Sequence, residues 1–418
     1  MRLLLPIFFA LALTAQTRPR VIVTSGIGGG DADDFQSMVY LLLHSDVLDV
    51  EGLISSPYGG GSADQIRQVI DLYEEDYPNL RTHSAAFPSP ARLRAAVKQG
   101  ARSDPGPTGV STPTEGSEWM IQCAHRSDDR PLHVLVWGGL EDLAQALHDA
   151  PEILPKLRVY FIGGPNKMWS VNAYNYLEEL HPQLWIIEAN STYWGWFTGG
   201  EQQGPFGNTQ FVSTQAAGHG ALGRFFASQL NGVLRMGDAA SVGSLLSGDP
   251  DNPERPGWGG KFVPVWDQRK TRFYRLTSDA DVVERFGVAE FYLPLPAGMT
   301  ARHRASVLLD GRVPVAVQNT GRSLLFRFSP PEARVWSYTI RSDFPALDGL
   351  GGSFTAVAPS AQRMLRPAAA HANWWTDDLD PYNAEGVHCG AKHVNRFRRQ
   401  YLDDFATRLR GCQAPRPY

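Results

Sequence analysis

The chain has 418 residues, 43% of them hydrophobic and 20% charged, which is enough apolar material for a large core and enough length for two domains or more. A formal net charge of -4 leaves no basic footprint, so a nucleic-acid polymer is excluded as its main partner. There is no G-x-S-x-G elbow and no H-E-x-x-H zinc helix, and the eleven histidines do not cluster with cysteine at zinc-finger spacing.

In chain order, Met1-Arg2 followed by LLLPIFFALAL has the form of a secretory signal peptide over residues 1–15, cleaved after Ala15. The run is too short to span a bilayer and no later segment is longer and equally apolar, so the sequence predicts a secreted or periplasmic protein with no membrane association once the signal is removed. Val21 to Asp34, VIVTSGIGGGDADD, is an apolar β-branched run that breaks into glycines and then acids. Behind it, Phe35 to His44 is apolar enough for a buried helix. In an open parallel sheet the ligand crevice lies outside the carboxyl ends of the strands, so Asp31, Asp33 and Asp34 are expected there, at a helix start. Two readings of the acids stand side by side. They cap the helix and suit its dipole, with Asp31 as N-cap, or they bind a hard cation such as Ca²⁺ through oxygen. A dinucleotide fingerprint fails because Asp31 stands where its third glycine belongs, and a Walker A loop fails because no Lys-Ser/Thr follows.

Residues 47–163 alternate strand and helix signals: a strand in LDVEGLISS, a helix in ADQIRQVIDLYEE, a strand signal in LRTHSA and a helix from Ser89 to Gln99 begun by Ser89 and Pro90. A loop over Gly100 to Gly116, a helix through Cys123 and a strand in Leu132 to Gly139 follow. This spacing implies βαβ units and a mostly parallel sheet. From Pro165 to Asn208 the chain is rich in amides and aromatics, among them Asn172, Asn175, Glu188 and Asn190. Amides and carboxylates bind hydroxyls and aromatic faces stack on sugar rings, so a polyol pocket is expected, with Trp194 and Trp196 in the core. Asn190-Ser191-Thr192 also matches a glycosylation sequon. The acids of GDPDNPERPGWGG lack EF-hand spacing and are expected to cap turns.

Beyond it, short β-like runs separated by turn residues predict a small antiparallel sandwich. The tail carries HANWWTDD and an amphipathic helix in HVNRFRRQYLDDFATRLR whose apolar stripe docks on the body. Trp374 is a candidate to fold back over the cleft and contact substrate. The expected division is signal 1–15, α/β domain 16–268, β-rich sandwich-like domain 269–365 and tail 366–418. Cys123, Cys389 and Cys412 are either three thiols or one pair, Cys389 with Cys412, and a free thiol.

VIVTSGIGGGDADD followed by LDVEGLISS resembles the first βαβ unit of the nucleoside hydrolase superfamily, and more closely the secreted bacterial nucleoside-hydrolase-like proteins, some of which carry the label cellulose-binding. GGLEDLAQAL, RVYFIGG, EAN at Glu188 to Asn190 and MGDAASVG at Met236 to Gly243 are similar to later family segments in the same order, covering roughly residues 20 to 265. The resemblance implies a Rossmann-type open sheet. It also implies a Ca²⁺ held by Asp34, Asp238, Asp31 and the backbone carbonyl near Glu141, Asp33 as general base on a water, and Glu188 and Asn190 on the sugar hydroxyls. The implied activity is hydrolysis of an N- or O-glycosidic bond in a small glycoside or nucleoside, with a non-catalytic carbohydrate-binding protein as the alternative. The sequence departs from the family pattern at Gly26, where a first metal-binding Asp is expected, and at Gly237, where a His precedes the late Asp.

Overall fold

The computed structural model describes residues 18–30, 32–56, 60–267 and 270–414. The apolar amino-terminal run and Asp31 lie outside the described residues. The α/β part runs β1 (Arg20–Ser25), α1 (Asp33–Leu43), β2 (Asp49–Ser55), α2 (Ala63–His83), α3 (Pro90–Ala96), β3 (Val97–Gln99), α4 (Glu115–Ala124), β4 (Leu132–Val136) and α5 (Glu141–Asp149). It continues with β5 (Leu157–Ile162), α6 (Pro165–Trp169), α7 (Val171–Leu180), β6 (Ile186–Ala189), α8 (Asn208–Phe211), α9 (Gly220–Ser228), α10 (Ala239–Leu246) and β7 (Phe262–Pro264). The expected mostly parallel sheet is present and has eight strands, in the order β3-β2-β1-β4-β5-β6-β17-β7, where β17 is Trp374–Asp377 from the far end of the chain. Every pairing in it is parallel except β17 with β7.

Local chemistry explains the element boundaries. Ser62 and Gln65 close a capping box at the start of α2; as the sequence predicts, Ser89 caps α3 with Pro90 in its first turn. Two expectations are corrected. LRTHSA is not a strand: α2 runs on to His83, with Pro78 inside it, because Leu80 completes its buried face. Its place in the sheet is taken by Val97–Gln99, read from the sequence as helix, which pairs with Leu53–Ser55. The first residues of α1 correct a third: the N-cap position is Ala32, with no side-chain cap, and Asp33 and Asp34 sit in the first turn.

The β-rich part holds β8 (Lys270–Phe273), β9 (Val282–Glu284), β10 (Val288–Pro294), β11 (Ala305–Leu309), β12 (Val313–Val315), β13 (Val317–Asn319), β14 (Ser323–Phe328), β15 (Val335–Ser342) and β16 (Gly351–Val357). They form sheets in the orders β13-β14-β10-β8 and β12-β11-β15-β16-β9 around a core of its own that includes Phe291, Phe326, Tyr338 and Phe354. The sandwich is not purely antiparallel, since β8 pairs parallel with β10 and β9 parallel with β16. It is tied to the α/β part by polar bonds: Arg327 donates to the Pro107 carbonyl at 2.7 Å and to Asn172 Oδ1 at 3.2 Å, and Lys167 Nζ donates to the Phe286 carbonyl at 2.7 Å.

The tail does more than dock. HANWWTDD supplies β17, inserted between β6 and β7, and α11 (Lys392–Asn395) and α12 (Arg398–Arg410) follow. Tyr401, Phe405 and Leu409 of α12 are buried, as their helical spacing predicts. The three cysteines are free thiols, with Cys123 and Cys412 buried, so the Cys389–Cys412 pairing is not formed. In the proline and glycine loop, Asp249 Oδ1 accepts from the Asp251 N–H and Asn252 Oδ1 from the Glu254 N–H, which is turn capping as expected.

Candidate functional site

The carboxyl edge of the large sheet gathers most of the polar residues singled out in the sequence. At the end of β1, Ser25 Oγ donates to Asp34 Oδ1 at 2.6 Å and accepts from the Ile27 N–H at 3.1 Å, which fixes the first turn of α1 against the strand. Asp238, at the N-cap of α10, joins them from far along the chain. Asp33, Asp34 and Asp238, all buried, each offer a carboxylate oxygen, and these oxygens lie within 4.8 Å of one another. Like charges this close raise one another's pKa unless protons or a cation compensate. An all-oxygen donor set of three carboxylates is the kind of site a hard divalent ion accepts, so the residues present fit Ca²⁺.

The two glycines that depart from the family pattern have different surroundings. A Cβ built on Gly26 would stand 3.6 Å from Asp34 Oδ2 with its other neighbours at 3.8 Å, so a side chain there has room and would begin beside the acid cluster. A Cβ on Gly237 would meet the Tyr193 ring at 3.0 and 3.2 Å and Phe197 at 3.3 Å. Aromatic rings therefore crowd the position where the family pattern has a histidine. Glu141 does not join the cluster through its side chain; its carboxylate accepts from Ser170 Oγ at 2.8 Å, at the start of α7.

At the end of β6 the chemistry is different. Glu188 is fully buried, and Lys167 Nζ donates to Oε1 at 2.7 Å, Tyr174 OH to Oε2 at 2.9 Å and Asn190 Nδ2 to Oε1 at 2.8 Å. Lys167 is also fully buried and stands 3.6 Å from the Tyr174 ring centroid. Asn190 Oδ1 accepts from the Gly164 N–H at 3.1 Å, so both ends of its amide are engaged within the protein. This buried engagement also removes it as a glycosylation acceptor. Beneath it, Asp377 of β17 accepts from the N–H groups of Asn190, Ser191 and Thr192. Burial, partly offset by those donors, pushes its carboxyl up to about 6.

The remaining candidates are buried. Asn172 donates to Asp104 and accepts from Arg327, bridging the two parts of the molecule. Asn175 is buried on α7. Trp374 packs in the core edge-on to Tyr174 at 5.9 Å and to His371 at 5.2 Å; as part of β17 it does not fold over the cleft. Trp196 is a core residue, as expected. Trp194 is not: half-buried, it stacks on His388 at 4.0 Å and 15° and lines a cleft of about 620 Å³ between the β5–β6 edge, the sandwich and the C-terminal segment. Sequence reasoning missed Lys167, since nothing in PNKMW marks that lysine as buried.

Fold and site together define a nucleoside-hydrolase-like protein. The chain belongs to the family described as cellulose-binding Sde182, nucleoside hydrolase-like domain, whose model matches residues 20–262. A solved nucleoside hydrolase-related hypothetical protein from Saccharophagus degradans, associated with carbohydrate metabolism, is similar over 82% of this chain and 100% of its own, at 20% identity and a TM-score of 0.50. An inosine-uridine preferring nucleoside hydrolase from Bacillus anthracis is similar over 60% of this chain and 87% of its own, at 16% identity and a TM-score of 0.37. No curated protein matches the chain.

Proposed function

We propose that the protein is an exported hydrolase of N- or O-glycosidic bonds in a small glycoside or nucleoside, assisted by Ca²⁺. The observation that carries this reading is the convergence of Asp33, Asp34 and Asp238 at the carboxyl edge of a family-typical sheet. Asp34 and Asp238 would hold the ion; Asp31, three residues before Asp34 in the sequence, is a further candidate ligand. Bound there, Ca²⁺ would neutralise the carboxylates and orient sugar hydroxyls. Asp33 would take the proton from a water attacking the anomeric carbon. The neighbouring carboxylates would stabilise the positive charge that develops on the ring in an oxocarbenium-like transition state. Export rests on the apolar run behind Met1-Arg2.

The test is turnover of a panel of nitrophenyl glycosides and ribosides with and without calcium. Hydrolysis that a chelator abolishes, and that falls about 10²- to 10⁴-fold in Asp33→Asn, supports the reading. Turnover indifferent to both contradicts it. A second reading, a carbohydrate-binding protein without turnover, is favoured by one observation: Lys167 engages Glu188, a carboxylate the resemblance assigns to a sugar hydroxyl. Binding of an oligosaccharide that survives chelation, with no turnover of any glycoside in the panel, would select it.

A further inference from the structure

The cleft beside Asn190 has a lining with a chemistry of its own. Its volume of about 620 Å³ lies within the range of small-molecule sites. Trp194, half-buried, comes from the α/β part; Trp336 of the sandwich also borders the cleft but belongs to the sandwich core, 4% exposed. Each tryptophan is held by a neighbour: Trp194 by the stacked His388, and Trp336 by the guanidinium of Arg334, 3.3 Å from its ring centroid. The stacking contact fixes the orientation of Trp194 before any ligand arrives.

The charges in the lining do not balance. Its two carboxylates, Asp310 and Glu332, are both engaged by one arginine: Arg334 Nη2 lies 2.7 Å from Asp310 Oδ2 and its Nε 3.1 Å from Glu332 Oε2. Arg285 and Arg312 also line the cleft, and neither forms an ion pair among the described residues. Arg285 donates through Nη2 to the Val387 carbonyl at 3.2 Å and to Cys389 Sγ at 4.0 Å, while its buried Nε has no hydrogen-bond partner among the described residues. Burial, aided by the charge of Arg285, holds His388 below its ordinary range, so at neutral pH it adds no charge of its own. Three arginines against two carboxylates leave the lining with one positive charge in excess, in a chain whose net charge is -4.

A guanidinium that makes a backbone hydrogen bond but has no carboxylate partner favours a carboxylate, which charge-assisted N–H donors bind most strongly. A neutral sugar would satisfy Trp194 and leave Arg285 without a carboxylate. We propose that this cleft binds an acidic oligosaccharide, a sugar ring against Trp194 and a uronate carboxylate on Arg285, with Arg312 adding long-range attraction. The inference rests on the carbohydrate-binding character of the family and not on turnover at the acid cluster.

Calorimetric titration of the full chain with trigalacturonate and with cellotriose tests it. The expected result is binding of trigalacturonate at least tenfold tighter than cellotriose, weakened several-fold between low and high salt, and reduced about tenfold or more in Arg285→Gln. Arg312→Gln, at an exposed position, guards against a folding defect in the first variant and should lower affinity and flatten the salt dependence. Equal binding of the two trisaccharides, a preference for a nucleoside monophosphate over trigalacturonate, or affinity unchanged in both arginine variants would overturn the proposal. Failure of both trisaccharides to bind would overturn it together with the sugar-binding reading on which it rests.

Discussion

Two clusters of carboxylate on one sheet edge have been resolved in opposite ways. At the end of β6, Glu188 is neutralised from within, by a lysine as deeply buried as itself and by hydrogen bonds from Tyr174 and Asn190. At the end of β1, three acids converge, and the glycine beside them has space where the family pattern places a fourth. The first arrangement locks a loop and joins the sandwich through the Phe286 carbonyl; the second is fit to receive an ion. Similar residue types at similar sheet positions therefore differ in how their charge is met, according to what stands next to them.

The largest expected effect is on the β6 side. Lys167→Met leaves Glu188 buried without its cation and should cost about 3 to 5 kcal/mol of unfolding free energy in urea titration, whereas adding Glu188→Gln should recover most of the loss. If Lys167→Met is neutral, the buried pair is not what holds that loop. On the β1 side, Asp34→Asn with Asp238→Asn should lower calcium affinity by roughly 100-fold or more while leaving the apo protein no less stable, because like-charge repulsion is relieved. Gly26→Asp should raise calcium affinity by about tenfold, since the position accepts a Cβ without crowding and a carboxylate would begin beside Asp34. A Gly237→His variant would instead have to displace the Tyr193 ring and should cost stability, by about 1 to 3 kcal/mol.

The smallest effects are those of pH, and they have opposite signs in two places. Asp377, raised to about 6, contributes stability that is present below its unfolded pKa near 4 and is lost as pH rises through about 6. His133, buried on β4 and pushed down to about 4, contributes stability present above its unfolded pKa near 6.5 and lost as pH falls through about 4. Thermal scans from pH 4 to 7 on His133→Gln should therefore show less acid destabilisation than the parent. An unchanged profile would mean that His133 is not the group responsible.

Much of the α/β part was legible because its signals are periodic and local: β-branched runs for the strands, Ser89-Pro90 for a helix start, and the acids after the glycine loop. What the sequence hid was long-range. Val97–Gln99 becomes a strand only because Leu53–Ser55 lies beside it, and HANWWTDD enters the sheet only because β6 offers an edge some two hundred residues away in the chain. Asp238 was placed near Asp34 by resemblance, and the fold is what brings the two together. Glu188 was legible as a residue of the crevice, but its partner Lys167 was not, because nothing in PNKMW marks that lysine as buried. Trp194 was expected inside and stands on a cleft wall, since its outer face is completed by His388 from the tail.

Calcium titration of the wild-type chain by calorimetry, beside the Asp34→Asn, Asp238→Asn double variant, bears most directly on the acid cluster. One ion per chain, bound by wild type and lost in the double variant, is the expected result. No heat of binding at millimolar calcium, or equal binding by both proteins, would contradict a cation site at Asp33, Asp34 and Asp238.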